Sequence, residues 1–369
     1  MNSVEQFCRQ RLGGDEVRRR DEAHQPPYDL VPAMAELGLI RAPFPESQGG
    51  LGVSWSLFCR IQERLGYHAY FAGSILNRFV SFGGMPIALF GSEAQRAALL
   101  PEILAGRALI ALALSEPEAG SDARAVRTRA RRDGARWRLA GRKTWISDAG
   151  GAAYLLTLSR TAEGPGRDHA LTAFLVPARA SGISMTELPK VGNNCMPSWD
   201  IGLDDVLVDD AARLGPVGQG FEVVTGTLGF SRASMAATVT GCAQAALDLA
   251  IAHAQERRQF GRPIVQFQVL RHRLVDMRIE VEKARVLVYE LARRIDAAEQ
   301  TGELSAIAKI VATEALQFVT EHGMQILASA GYARESAMQR YWRDARLYTF
   351  GEGTNEIQRE IIAGHMGLR

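Results

Sequence analysis

Gly351-Glu352-Gly353-Thr354 places one carboxylate between two glycines, just before a run with helical spacing. A carboxylate there can take a proton from a bound molecule, or it can complement the positive end of the helix dipole. A second segment, Ala113-Leu114-Ser115-Glu116-Pro117-Glu118-Ala119-Gly120-Ser121-Asp122, ends a strand in small and hydroxyl residues. Such a segment offers backbone N–H groups and serine hydroxyls to a polar ring edge or an anion, and Gly120 permits close backbone approach. Taken alone, it also reads as an ordinary polar turn. Gly215-Pro216-Val217-Gly218-Gln219-Gly220 has the order G-x-x-G-x-G with no acidic residue placed for a ribose, which argues against a nicotinamide dinucleotide. The histidines His24, His68, His169, His253, His272, His322 and His365 show no metal-ligand spacing, and Cys8, Cys59, Cys195 and Cys242 form no C-x-x-C pair. Neither a metal site nor a disulfide framework is expected, and a reducing cytoplasm fits.

The elements that must position these residues follow from periodicity. Apolar residues recur at helical spacing from Ser3 to about Ala111, as in Leu99–Leu100 and Ile103–Leu104. From Leu112 to Pro216 the pattern changes to short strands: Trp137–Leu139, an Ala140–Gly141 turn, Thr144–Ile146, then Tyr154–Leu158, Leu171–Val176 and Asp200–Val208. Helical spacing returns in Phe221–Ala252, Val265–Ala298, Ser305–Ala330 and Thr354–Ala363. The chain therefore divides into a helical part (1–111), a β part (112–216) and a second helical part (217–369), with the β part inserted between helical parts that pack together.

The 369 residues are 47% hydrophobic, enough for a large core, and the formal net charge is only +2. No overall field advertises a nucleic-acid partner. All but four of the 43 basic residues are arginines, the exceptions being Lys143, Lys190, Lys283 and Lys309. The N-terminus lacks an apolar h-region, and no segment is expected to reach the roughly 18 apolar residues of a membrane span. The run Arg124, Arg127, Arg129, Arg131 and Arg132 puts three arginines on one strand face, either a solvated edge or a landing face for an acidic carrier protein.

The Ala113–Asp122 run resembles the first signature of the acyl-CoA dehydrogenase family at every defined position. A second signature follows in Gln325-Ile326-Leu327-Ala328-Ser329-Ala330-Gly331-Tyr332, continuing through Glu335 and Arg340 to Asp344, with Ala328 standing where the family usually has glycine. Lys143–Ser147, Leu214–Phe221, Glu256–Ile264 and Glu352–Arg359 match in family order. The resemblance implies an α+β fold with an N-terminal helical domain, a middle β-barrel or sandwich domain and a C-terminal four-helix bundle, and FAD between the last two. Leu112, Leu114, Ser115, Gly120, Ser121, Trp145, Ile146 and Ser147 would line the isoalloxazine, Trp145 offering an aromatic face. Thr354 and Glu356, at the last helix start, would meet the cofactor with the helix amides. Arg257, Gln259, Gln325 and Ser329 would reach the FAD of a neighbouring subunit, which implies a homodimer or homotetramer, and Phe260 and Gln268 would also bind the cofactor. An electron acceptor such as an electron-transfer flavoprotein is implied as well.

By the same resemblance Glu352 matches the family's base, which removes the α proton of an acyl thioester while flavin accepts the β hydride. Some members carry the base on the helix after the glycine-rich loop, and Ser231 stands at that position here. Ser121, Arg232, Gly353, Asn77 and Arg78 would contact substrate. Gly351 replaces the usual tyrosine before the base and opens room beside the α carbon. Asn77 and Arg78, on a helix expected over Tyr70–Phe82, make the pocket unfit for a long aliphatic chain, and Arg78 needs an anion from either a protein carboxylate or the substrate. Overall likeness is greatest to the acyl-carrier-protein-directed dehydrogenases that make hydroxymalonyl or methoxymalonyl extender units for polyketides. Short-chain acyl-CoA oxidation in fatty or amino acid catabolism, a flavin oxidase or oxygenase, and a non-catalytic scaffold are the competing readings.

Overall fold

The computed structural model describes residues 1–161 and 170–368; His169 lies outside them. The order is helical, β, helical, as the periodicity predicts. The β part is one eight-stranded sheet of β1 (Ile110–Ala113), β2 (Arg129–Asp133), β3 (Arg136–Ser147), β4 (Tyr154–Arg160), β5 (Leu171–Pro177), β6 (Ile183–Leu188), β7 (Ser198–Asp209) and β8 (Arg213–Leu214), ordered β6-β7-β3-β2-β4-β5-β8. β1 runs parallel to the start of β4, with Ile110 opposite Tyr154. Its end therefore emerges beside β3, where the Thr144 N–H donates to the Ser115 carbonyl at 3.0 Å. That bond draws Ser115 and Trp145 together.

Three expectations are corrected. Ala140–Gly141 is not a turn between two strands: β3 is continuous, with register irregularities against β7 at Leu139/Gly141 and Lys143/Ile146. At Leu139/Gly141 the added residue lies in β7, where Asp204 and Asp205 oppose Ala140 alone. Gly141 marks a close approach instead: a Cβ there would lie 2.6 Å from Thr128 Oγ1, and a glycine inside a strand imitates a turn in the sequence pattern. Arg127 precedes β2, although burial alternates through it, with Val126, Thr128 and Ala130 inside and Arg127, Arg129 and Arg131 outside. A segment long and apolar enough to span a membrane does exist, the helix Gly220–Glu256, but most of it is buried inside this protein. An apolar helix surrounded by protein on most sides needs little polar face.

That helix joins the two helical parts. It crosses Trp55–His68 at glycines: a Cβ on Gly66 would lie 2.0 Å from the Thr238 carbonyl oxygen, and one on Gly241 would lie 2.0 Å from that of Glu63. Across the crossing, the Cys242 thiol donates to the Gly66 carbonyl and the Gln62 amide to Ser234. Backbone cannot yield as a flexible side chain can, so Gly241→Ala should destabilise the fold by about 1–3 kcal/mol through overpacking. An unchanged denaturation midpoint for the variant would show that the helices can part freely there.

The C-terminal part continues with Gln268–Asp296, Gly302–Leu327 and Asn355–His365, plus a helix Ala337–Tyr348 that was not anticipated from the sequence. The buried Asp344 on this extra helix accepts the Asn193 N–H at 2.6 Å, tying it to the β part. Burial pushes the Asp344 carboxyl up to about 6, with Arg343 opposing the shift.

The expected helix Tyr70–Phe82 is also modified. It is α-helical over Tyr70–Asn77, turns π-helical over Arg78–Gly84, and becomes α-helical again over Met85–Phe90. A π segment accommodates an extra residue, so side chains after Asn77 rotate away from the three- and four-residue spacing of a plain α-helix.

Candidate active site

Glu352 sits in a left-handed backbone conformation, φ +57°, followed by Gly353 at φ +87°. Left-handed geometry is costly for a residue with a Cβ, whereas Gly353 accepts it freely. Thr354 then caps the last helix, its hydroxyl accepting the Ile357 N–H at 3.2 Å. The chain therefore turns sharply at the glutamate and is stopped by the cap. The carboxylate projects toward the helical parts.

Two side chains from distant segments meet it. The Ser231 hydroxyl donates to Oε2 at 2.8 Å, and the Asn77 amide donates to Oε1 at 3.4 Å and to Ser231 at 3.1 Å. Arg232 is buried beside them, and its Nε finds no hydrogen-bond partner among the described residues. Burial pulls its guanidinium below the ordinary arginine value and the charge of Glu352 holds it up. The Asn77 amide oxygen is likewise buried and unpartnered. A carboxylate, a guanidinium and an amide thus converge with donor and acceptor capacity to spare. Buried polar atoms without partners are rare, and their clustering marks a place where a ligand completes the bonding.

Behind the carboxylate, the loop is gripped from its backbone. Lys309 is fully buried and donates to the carbonyls of Thr349 at 3.2 Å and Gly353 at 3.0 Å and to Asn355 Oδ1 at 2.8 Å. The Gln358 amide donates to the Glu352 and Gly353 carbonyls at 3.3 and 3.1 Å. Neither residue was picked out for the site from the sequence. The available signal was that Lys309 is one of only four lysines in a chain rich in arginine. A compact ammonium fits where a planar fork does not.

Arg78 does not join this group. Of the two anions open to it, the structure supplies the protein's own: Nε lies 3.4 Å from Asp148 Oδ2, and the guanidinium sits over the Phe82 ring. Asp148 is itself buried at φ +62° and accepts from the Tyr28 hydroxyl at 3.1 Å. Burial raises its carboxyl despite Arg78. The sequence reading missed both Asp148 and Tyr28.

The strand-end segment has the character that an isoalloxazine requires. Trp145 is held at φ +59° and is 57% exposed, a large apolar residue left largely uncovered by the described residues. Leu112, Leu114, Ser115 and Ser147 are half-buried, Gly120 and Ser121 are exposed, and nothing lies within 4 Å of a Cβ placed on Gly120. Ile146 points into the core, so only its backbone is free for a cofactor. Lys143 fixes the segment from below, donating to the Leu114 carbonyl at 3.1 Å and to Glu116 at 2.8 Å. An aromatic face, a hydroxyl, open glycine backbone and the capped amides at Thr354 and Glu356 together suit a flavin.

Arg257, Gln259, Phe260 and Gln268 lie just before, on and just after an exposed hairpin of Arg258–Gln259 and Arg262–Pro263, with Phe260 91% exposed. Gln325 and Ser329 line an open cavity of about 490 Å³ with Tyr332. No hydrogen bond joins either group to Glu352 or Trp145 among the described residues. The glycine loop has a packing role: the Gly218 N–H donates to Thr172, and a Cβ on Gly220 would lie 2.5 Å from β5 backbone. No cluster of three metal-ligating side chains occurs among the described residues.

Comparisons agree with this geometry. The N-terminal, middle and C-terminal domains of acyl-CoA dehydrogenase match residues 1–107, 111–206 and 218–367. The chain is 36% identical to a probable acyl-CoA dehydrogenase, YngJ, of Bacillus subtilis, over 93% of this chain and 90% of that protein. It is 34% identical to the mitochondrial short-chain specific acyl-CoA dehydrogenase of Bos taurus, over 94% of this chain and 84% of the other. A solved glutaryl-coenzyme A dehydrogenase in complex with glutaryl-CoA superposes with a TM-score of 0.95 at 33% identity, covering 100% of this chain and 94% of that one. A half-buried carboxylate on a left-handed loop, an uncovered tryptophan near a strand end and three matched domains have one common account: the chain belongs to the acyl-CoA dehydrogenase family of FAD-dependent oxidoreductases.

Proposed function

We propose that this protein oxidises a short, polar acyl thioester, with Glu352 removing the α proton. The observation that carries the reading is the pair of unpartnered buried polar atoms, Asn77 Oδ1 and Arg232 Nε, in the group around Glu352. An aliphatic chain placed there would leave both without partners at a cost of about 1–3 kcal/mol each, whereas an acyl hydroxyl can donate to Asn77 Oδ1 or accept from Arg232 Nε, and a carboxylate can accept from the latter. Ser121 and the Gly353 backbone complete the proposed substrate contacts. When bound, FAD supplies the acceptor for the β hydride. Glu352 takes the α proton, Ser231 and Asn77 hold its carboxylate in place, and Arg232 keeps positive charge beside it.

A glyceryl group on an acyl carrier protein or CoA fits these requirements, and extender-unit formation for polyketides is the place we assign to it. The exposed face of Arg127, Arg129 and Arg131 suits an acidic carrier protein, although Arg127 already pairs with Glu118. The test is anaerobic bleaching of the flavin by glyceryl and butyryl thioesters, each on CoA and on carrier protein. A charge-assisted hydrogen bond contributes about 1.5–3 kcal/mol, so glyceryl should exceed butyryl in kcat/KM by roughly ten- to a hundredfold. Preference for butyryl-CoA would instead establish the short-chain catabolic reading. Rapid reoxidation of the reduced flavin by dioxygen would favour an oxidase.

A further inference from the structure

We infer that Lys309 is a positioning residue for the catalytic base: by gathering the backbone on both sides of Glu352, it sets where the carboxylate stands relative to the substrate α carbon. The inference rests on Glu352 being the base.

The loop from Thr349 to Asn355 carries Glu352 at its middle, and its ends are joined by a bond from the Asn355 N–H to the Thr349 carbonyl at 2.8 Å. A single buried ammonium spans that closure. All three acceptors of Lys309, on Thr349, Gly353 and Asn355, belong to the loop, and the lysine itself comes from a separate element, the helix Gly302–Leu327. Thr313, one turn further along that helix, accepts from the Asn355 amide at 3.2 Å and continues the attachment. An ammonium has three protons, and here each meets one oxygen, so its donor capacity is used up and its charge is turned to the loop.

The arrangement controls placement more than stability. Glu352 has a left-handed backbone, a state that persists in a non-glycine residue only when its surroundings over-determine it. The Glu352 side chain has flexible torsions and light tethers, a 2.8 Å bond from Ser231 and a 3.4 Å contact from Asn77. The backbone therefore fixes the carboxylate's origin, and Lys309 with Gln358 fixes the backbone. Burial draws the Lys309 amine down to about 8, with Glu352 opposing and Arg232 assisting the shift.

The experiment compares wild type, Lys309→Met and Glu352→Gln as FAD-loaded proteins, in two assays with butyryl-CoA and glyceryl-CoA. One is anaerobic flavin bleaching. The other is α-proton exchange into D2O by the dithionite-reduced enzyme, which can deprotonate a thioester but cannot oxidise it. Lys309→Met should retain FAD and near-normal KM, while bleaching and exchange fall together by about ten- to a hundredfold, as a base displaced by roughly 1 Å requires. Equal rates in both assays would overturn the inference, as would a loss confined to bleaching, which would locate the defect at the flavin. If Lys309→Met yields no FAD-loaded protein, Lys309→Gln is measured in its place; failure of both variants to hold FAD makes Lys309 a folding residue and also overturns it. Wild-type exchange in Glu352→Gln would remove the base assignment and this inference with it. A silent Glu352→Gln beside an unimpaired Lys309→Met would remove the Lys309 role alone.

Discussion

Glu352→Gln should leave FAD binding intact and reduce substrate-dependent flavin bleaching by about 10²- to 10⁴-fold, the range that a positioned general base contributes. The amide keeps the volume, and its oxygen can still accept from Ser231 at the site where Oε2 now lies 2.8 Å away. Its nitrogen would face the Asn77 amide, a donor against a donor, unless the group turns over. The loop should hold, because Lys309 and Gln358 bind its carbonyls and not the carboxylate. Loss of basicity is thus separated from loss of structure, and no second carboxylate among the hydrogen-bonded side chains can replace it. Ser231, at the other position the family uses for a base, is a hydroxyl that donates to Glu352. Stopped-flow absorbance of the anaerobic mixture reads the effect directly. Bleaching within a fewfold of wild type would remove Glu352 from the chemistry.

The legible part of the site was local in sequence. Ala113–Asp122, Lys143–Ser147 and Glu352–Arg359 are contiguous runs, and each would supply one wall of the proposed site, so their residues could be named before their geometry was known. Residues that act across the fold were silent. Lys309 reaches carbonyls 40 and 44 residues away, and backbone acceptors leave no trace in side-chain identity. Asp148 meets Arg78 and Tyr28 across 70 and 120 residues, so the sequence showed that Arg78 needed an anion without showing which one. Periodicity identified the helical and β parts but misread two departures from regular geometry. One was the irregularity at Leu139/Gly141, where a glycine kept for close approach to Thr128 mimics a turn; the other was the π segment Arg78–Gly84, which a helical pattern tolerates without showing it. Ile146 illustrates a further limit, since alternation along β3 sends its side chain into the core while its neighbours Trp145 and Ser147 face outward.

Lys143→Met should be among the most destabilising single changes available, about 3–5 kcal/mol, because it leaves Glu116 ionised and buried without its cation. Lys143 is fully buried and donates to Glu116 at 2.8 Å and to the Leu114 and Leu158 carbonyls at 3.1 and 2.7 Å. Glu116 also accepts the N–H groups of Arg127 and Thr128 at 2.6 and 2.9 Å, so it stays in place when the lysine goes. In the native pair, burial acts to raise the Glu116 carboxyl but Lys143 and these donors hold it below the ordinary value, while burial draws Lys143 down to about 8. A carboxyl depressed in the folded state stabilises above its unfolded value, and that contribution is lost as pH falls through the folded one. Removing the lysine leaves burial dominant and reverses the sign: the carboxyl rises, the folded state binds the extra proton, and the deficit should shrink as pH is lowered from 8 toward 5. Glu116→Gln combined with Lys143→Met should recover part of the loss, since no unpaired charge then remains. FAD release should also quicken in the single variant, because the Leu114 carbonyl loses the donor that steadies the Trp145 wall. Denaturation midpoints of the three variants at the two pH values test the account, and a deficit that grows in acid would show that Glu116 is not the group left exposed to burial.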